Sequence, residues 1–282
     1  MTGTDQHPRS APGTLRDLVG EPSDFFDDVW NTFPYQYQAE DAPGLLTPAE
    51  LWDEFDCGLI VRPWVSLTYP HGLSAARRDA AFQTRVVVNN DLVGYPVPEE
   101  FRRAYEGGAS IVVDRPELWS PRIAALVASL AAGFRGDVWS TLVLAPPHAA
   151  TTELDAAPDG GHSFVLHLAG HCSWTAGGQA PGAFSADLAA GGVLYLPPGC
   201  ERTARIGADG ALMLVISVVE IMAGRLAEIM GALFLRGAGR EIEDCHHEMT
   251  SSEKIAWVRE ALCRHLAEED PQQALAIALR NR

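Results

Sequence analysis

Ser163-Phe164-Val165-Leu166-His167-Leu168-Ala169-Gly170 and, further on, Gly192-Val193-Leu194-Tyr195-Leu196-Pro197-Pro198-Gly199 decide the fold. Each is a short apolar run closed by glycine or proline. Runs of this length and bounding read as buried strands rather than helices. Working outward, Trp139–Leu144 and Leu212–Val218 repeat the pattern, so that from Val138 to Val219 short strands alternate with Gly, Pro and Asp turns. That spacing predicts an all-β sandwich or barrel.

Helices flank this β region. Residues 14–31 place Leu15, Leu18, Val19, Phe25, Phe26, Val29 and Trp30 at intervals that suit two short amphipathic helices. Thr47-Pro48-Ala49-Glu50 is a capping box with proline at the first helical position, which predicts a helix from Pro48 to about Phe55. Leu59–Leu67 reads as a strand that Pro63 makes irregular, and Arg85–Asn89 and Ile111–Asp114 as short strands. Pro98–Tyr105 is a short helix ended by Gly107-Gly108. Ser120-Pro121 opens a longer one, with Ile123, Leu126, Val127 and Leu130 on one face and Gly133 at its close. Beyond Ile221 the chain returns to helix. Thr250 and Glu253 form a second capping box, Ile255, Val258, Leu262 and Leu266 share a face, and Pro271 precedes a last turn or two over Gln272–Leu279. The expected organisation is a tail over 1–13, a β domain with helical flanks over 14–220, and a helical segment over 221–282 whose apolar stripe suits either a homodimer interface or packing against the chain's own barrel.

Composition excludes several classes of function. The 282 residues carry a net charge of −16, which disfavours nucleic acid and anionic membrane surfaces as partners. No apolar run approaches the roughly 18–20 residues of a membrane helix, and Met1–Gly13 lacks the pattern of a signal peptide. Twenty of the 21 basic residues are arginine, Lys254 being the exception, a bias typical of GC-rich bacterial genomes. The five cysteines, Cys57, Cys172, Cys200, Cys245 and Cys263, form no CxxC pair, so reduced thiols in the cytoplasm are expected.

Three stretches in order resemble the JmjC/cupin-like Fe(II)/2-oxoglutarate oxygenases, their ribosomal-oxygenase branch especially. They are Phe25-Phe26-Asp27-Asp28-Val29-Trp30 with Pro34; Gly107-Gly108-Ala109-Ser110-Ile111-Val112-Val113 leading to Pro121; and the Ser163–Gly170 strand with Trp174 and Gly192–Gly199. The resemblance covers roughly residues 20–220. It implies a double-stranded β-helix, or jelly roll, so that the fold class is mainly β with flanking helices and a C-terminal helical segment.

It also implies a site. The family places a His-x-Asp pair before the first strand and a distal histidine after the Pro-Pro-Gly turn, a facial triad that holds iron. Aligned without gaps, those positions are Ala157, Asp159 and Arg202. Alanine offers no lone pair, and arginine is a permanent cation that repels a divalent metal. The position that usually anchors 2-oxoglutarate through lysine is Cys172. Placing Glu153-Leu154-Asp155 in the His-x-Asp slot supplies no histidine either.

Alternation puts Ser163, Val165 and His167 on one strand face. The expected pocket is therefore lined by Ala157, Val165, His167, Cys172 and Ser217, with Asp159 and Arg202 as its reactive or ion-paired members. No cofactor is expected; a rebuilt metal site would draw on Asp159, His162 and His167. The bland reading makes His167 a hydrogen-bonded barrel histidine and leaves His162 and His171 in solvated turns. Cys245-His246-His247-Glu248 reads as a polar linker, since contiguous residues cannot all face one ion.

Three functions follow from these residues. The first is a protein that has lost the standard Fe(II)/2-oxoglutarate site and binds a peptide, protein or small acidic ligand in the old pocket. The second is an enzyme of altered mechanism, with a rebuilt metal site or a metal-free Asp159–Arg202 pocket. The third is a conventional hydroxylase using Fe(II) and 2-oxoglutarate, its ligands lying elsewhere.

Overall fold

A computed structural model describes residues 11–58, 60–69, 81–87, 90–134, 136–151, 161–177, 183–220, 223–245 and 249–268. The chain divides into two compact units, Met1–Phe134 with Val138–Val219, and Arg135–Asp137 with Glu220–Arg282.

The first unit is built on one nine-stranded sheet. Its strands are β1 (Tyr35–Gln38), β2 (Val65–Thr68), β5 (Ser110–Asp114), β6 (Asp137–Ala145), β7 (Ala150–Thr151), β8 (His162–Ala176), β9 (Phe184–Ala189), β10 (Gly192–Leu196) and β11 (Arg202–Val219). They lie in the order β1-β10-β8-β11-β6-β5-β2, with β7 on β11 and β9 on β8. The strands β3 (Phe82–Val87) and β4 (Asn90–Pro96) form a separate ribbon.

β8 and β11 are the long strands that both halves share. Arg202–Ile206 pairs antiparallel with Ala176–Cys172, and Ala211–Val218 with Gly170–His162; the register shifts in between. β9 pairs with the outer half of β8 and β10 with the inner half.

At the shift the chain turns a corner through Gly170 (φ 77°) and Gly210 (φ 74°). A side chain at Gly170 would overlap the Gly210 carbonyl oxygen and stand 2.9 Å from Ala211 Cα, so only glycine lets the two backbones approach. The corner also switches the alternation of side chains. Val165 faces the barrel interior before it, and Cys172, Trp174 and Ala176 face the same interior after it. On β11, Ala204 and Ile206 are followed by Ala211, Met213 and Val215. An odd run becomes an even one, and the reverse on the partner, as an inserted residue requires.

Both faces of the inner strands are buried, which explains their unbroken apolar sequence. One face carries Val165, Leu194, Leu196, Met213 and Val215 into the barrel. The other carries Phe164, Leu166, Tyr195, Leu214 and Ile216 onto the helical layer. Each fully buried side chain of this size contributes about 1.5–3 kcal/mol.

The helical layer is set by local signals. In α1 (Leu15–Val19), Thr14 and Asp17 complete a capping box. After α2 (Pro22–Asp24), Phe25–Val29 is a π-turn whose widened ring is closed by Trp30 N–H on Phe25 O at 2.8 Å. That turn seats Phe25 among Phe164, Tyr195 and Tyr37, with ring centroids 5.7, 5.1 and 6.1 Å away. α3 (Pro48–Cys57) starts at the expected capping box, Thr47 N–H donating to Glu50 Oε2 at 2.7 Å, and ends at Gly58 in the left-handed region. α4 (Pro98–Glu106) buries Phe101, and α5 (Pro121–Phe134) buries Ile123, Leu126, Val127 and Leu130.

Pro63 does more than roughen a strand. Trp64 N–H closes a turn on Val61 O, so the strand begins only at Val65. Gly133 does not close its helix, which runs on to Phe134.

In the second unit, α6 (Ala223–Cys245) buries Ile229 and Phe234, and α7 (Ser251–Glu268) opens at the Thr250–Glu253 capping box. Phe234 and His265 bring their rings to 5.7 Å. Cys245 ends α6; His246, His247, Glu248 and the Pro271 segment lie outside the described residues. Among the described residues no helix is long and apolar enough to cross a membrane.

Candidate functional site

β8 sends its histidines in opposite directions. His162 faces the helical layer and is buried, not solvated in a turn. Its ring stacks on Trp30 at 3.6 Å and 10°. Its Nδ1 lies 2.8 Å from Tyr195 Oη, which itself accepts the Asn31 N–H at 2.8 Å. This chain of bonds is satisfied when the phenol proton points at a neutral imidazole. Burial pushes the His162 pKa down to about 4.

His167 faces the barrel interior and is fully buried. Trp174 Nε1–H donates to His167 Nε2 at 2.9 Å, edge-on at 89°. The indole can only donate, so Nε2 is the acceptor and Nδ1 carries the proton. Burial, with a smaller contribution from His171, lowers the His167 pKa to about 3. Replacing Trp174 with phenylalanine keeps the ring and removes the donor. The expected cost is about 1–3 kcal/mol for an unmet buried acceptor, read as a lower denaturant midpoint; an unchanged midpoint would show that the bond carries no stability.

A polar end of the barrel lies at the start of β8. Ser163 and Ser217 stand opposite each other in register, both buried. The half-buried Arg202, first residue of β11, donates from Nη1 to Ser163 Oγ at 3.1 Å. Val165, pairing with Val215 and Leu194, forms the apolar layer that follows, and His167 the next. Ser163, Ser217 and Arg202 thus lie together at this end, the half-buried guanidinium bonded to a buried hydroxyl.

Cys172 belongs to the interior beyond the Gly170 corner. Its thiol is buried, and desolvation holds the pKa up to about 12, so it is a neutral packing group. Ala157, Asp159 and the alternative Glu153-Leu154-Asp155 lie outside the described residues. Among the described residues, no three His, Cys, Asp or Glu side chains stand close enough to share a metal ion. A rebuilt centre using both His162 and His167 is not available from this strand, because neighbours of odd and even number face opposite sides of the sheet.

Sequence reasoning singled out His167 and Arg202 but missed their partners. Alternation puts Ser163 on the His167 face, but nothing in it joins Ser163 to Arg202. Tyr195 opposite His162, and Trp174 beside His167, depend on strand pairing and on the Gly170 corner, which no local pattern reveals.

No protein-family model and no curated protein matches the sequence. Solved structures of YcfD, a ribosomal oxygenase from Escherichia coli, do match. Its complex with cobalt and 2-oxoglutarate is 16% identical with a TM-score of 0.56, over 90% of this chain and 68% of that one. Its complex with cobalt and succinic acid is 16% identical with a TM-score of 0.57, over 93% and 70%. An X-ray structure of the same protein gives 15%, 0.56, 90% and 69%. At this level of identity the likeness shows the fold alone: a jelly roll with helical flanks, like that of YcfD.

Proposed function

We propose that this chain is a jelly-roll protein that receives the carboxylate of a small acidic ligand or peptide on Arg202 at the barrel mouth, in place of Fe(II)/2-oxoglutarate chemistry. The observation that carries the reading is the Arg202–Ser163 bond. It holds a cation at the position where the resemblance puts the distal metal-binding histidine. A guanidinium offers no lone pair and stays charged at every working pH, while its planar fork matches a carboxylate. Two further features agree. His167 Nε2 already accepts the Trp174 N–H, and the buried neutral Cys172 thiol supplies no cation for 2-oxoglutarate at the anchoring position. These features support a reading without an iron centre.

Calorimetry with acetate, succinate and 2-oxoglutarate tests this, alongside a cobalt titration followed by absorption. One of the acids should bind, and Arg202→Gln should weaken it by about tenfold or more, the value of a charge-assisted hydrogen bond. Stoichiometric cobalt bound together with 2-oxoglutarate would sink the reading in favour of a conventional hydroxylase.

A second copy of the chain is the partner we infer for the helical unit. No residue of α7 is buried, and Ile255 is 62%, Val258 40% and Leu266 43% exposed along one stripe. An amphipathic helix does not stably leave such a stripe in water. Light scattering should give a dimer mass that falls to the monomer in Ile255→Glu/Leu266→Glu; a monomeric parent protein would contradict it.

A further inference from the structure

We infer that the outer edge of β1 is a docking strand for an extended, cationic peptide segment. β1 ends the sheet order, pairing with β10 alone among the described strands. Its phase follows from one bond. Ala39 N–H donates to Gly191 O at 2.7 Å, next to the Gln38–Gly192 pair, so Tyr35 and Tyr37 turn their amides toward β10. Gln36 and Gln38 therefore present N–H and C=O outward, spaced as an added strand needs. The edge is exposed at three of its four residues.

Around it lies a groove of about 410 Å³ lined by Tyr35, Gln36, Tyr37, Gln38 and Phe184. Phe33 and Tyr35, 42% and 43% exposed with rings 6.1 Å apart, extend its aromatic rim. Native sheets guard such edges with lysine, proline or a bulge. Within Tyr35–Gln38 there is none of these, Pro34 standing one residue before the strand.

The charge of the occupant is set by its surroundings. From Asp17 to Val61 the sequence holds eleven Asp and Glu and not one Lys, Arg or His, with Glu21, Glu50 and Asp56 paired to arginines from outside this stretch. Asp27 and Asp28 sit exposed on the π-turn that leads toward β1, whose Phe25 reaches Tyr37, and Glu40 is exposed just after the strand. An incoming strand with basic side chains would meet the exposed carboxylate of Glu40 directly after β1, with those of Asp27 and Asp28 on the turn that precedes it in the chain. An acidic one would be repelled, as would a second copy of this chain approaching by the same acidic edge.

This inference is independent of Arg202. The probe is a fluorescently labelled peptide alternating lysine and valine, followed by anisotropy with the full chain. It should bind, weaken as salt rises, and lose about tenfold or more when its alternate amides are N-methylated, since main-chain bonds supply the affinity. Gln36→Pro removes one outward donor without touching the β10 ladder and should have a similar effect. Asp27→Asn/Asp28→Asn/Glu40→Gln should reduce both the affinity and its salt dependence. Equal binding of the N-methylated peptide, or of a glutamate–valine peptide, would overturn the proposal. So would no binding at all, or self-association of the chain that Gln36→Pro abolishes. The N-methylation comparison uses the unaltered protein and stands even if a variant fails to fold.

Discussion

Gly170→Ala is expected to unfold the first unit or cost it more than about 4–5 kcal/mol, at the far end of what single substitutions do. Two effects add. The residue sits at φ 77°, where a side chain costs about 1–2 kcal/mol. The new methyl would also overlap the Gly210 carbonyl and crowd Ala211 Cα at 2.9 Å, and both are backbone atoms in the middle of a ladder. Neither can move without breaking the pairing of β8 with β11. Gly199→Ala separates the terms. Its φ is 71°, but nothing stands within 4 Å of the added carbon, so only the conformational cost of about 1–2 kcal/mol applies. Denaturant unfolding of the two variants should therefore differ by several kcal/mol. Similar midpoints would mean that the corner relaxes and that the close approach is not essential.

The same corner explains which parts of the molecule were legible in its sequence. Gly192–Leu196 was readable to the residue, because it is apolar throughout and bounded by glycine and proline. Both long capping boxes were readable because their signal is local, a hydroxyl and a carboxylate three residues apart. β8 and β11 were read as short strands and are 15 and 18 residues long. Their outer halves, His171–Ala176 and Arg202–Ile206, are exposed on one face and carry Ser, Thr and Arg, so the apolar run stops long before the strand does. β1 gave no signal at all: Tyr-Gln-Tyr-Gln is extended because β10 pairs with it.

The site follows the same division. Period-two alternation placed His167 inside the barrel correctly, since no irregularity separates it from Ser163. It could not place Trp174, which an uninterrupted alternation would turn to the outside. Nor could it bury His162, whose cover is the Trp30 ring from far upstream. Local chemistry was legible; contacts made across a bulge or between distant segments were not.

Acidification should destabilise the first unit well before its carboxylates titrate. His162 and His167 have folded-state pKa values near 4 and 3, against about 6.5 when unfolded. Between those limits the unfolded chain binds two protons that the folded chain refuses, so stability falls as pH falls. From pH 7 to 5, about 1.5 units of this window are crossed. At about 1.4 kcal/mol per unit for each histidine, the loss is about 4 kcal/mol. The paired carboxylates, Glu50 among them, are also held below their usual range, and their contribution is lost only at lower pH. Denaturant melts at pH 7 and 5 measure the difference. A His162→Gln variant should retain the His167 half of it, and the loss should shrink to about 2 kcal/mol. If the two melts coincide in the parent protein, water reaches both imidazoles, and the stacked Trp30–His162–Tyr195 cluster and the Trp174–His167 bond do not seal them. Trp174 lies beside His167 in the barrel and Trp30 beside His162 on the helical layer, so with seven tryptophans in the chain the emission lost in Trp30→Phe or in Trp174→Phe relative to the parent follows each face of β8 separately. A joint transition would show that the barrel and its helical cover fail together, as expected when one strand carries both histidines.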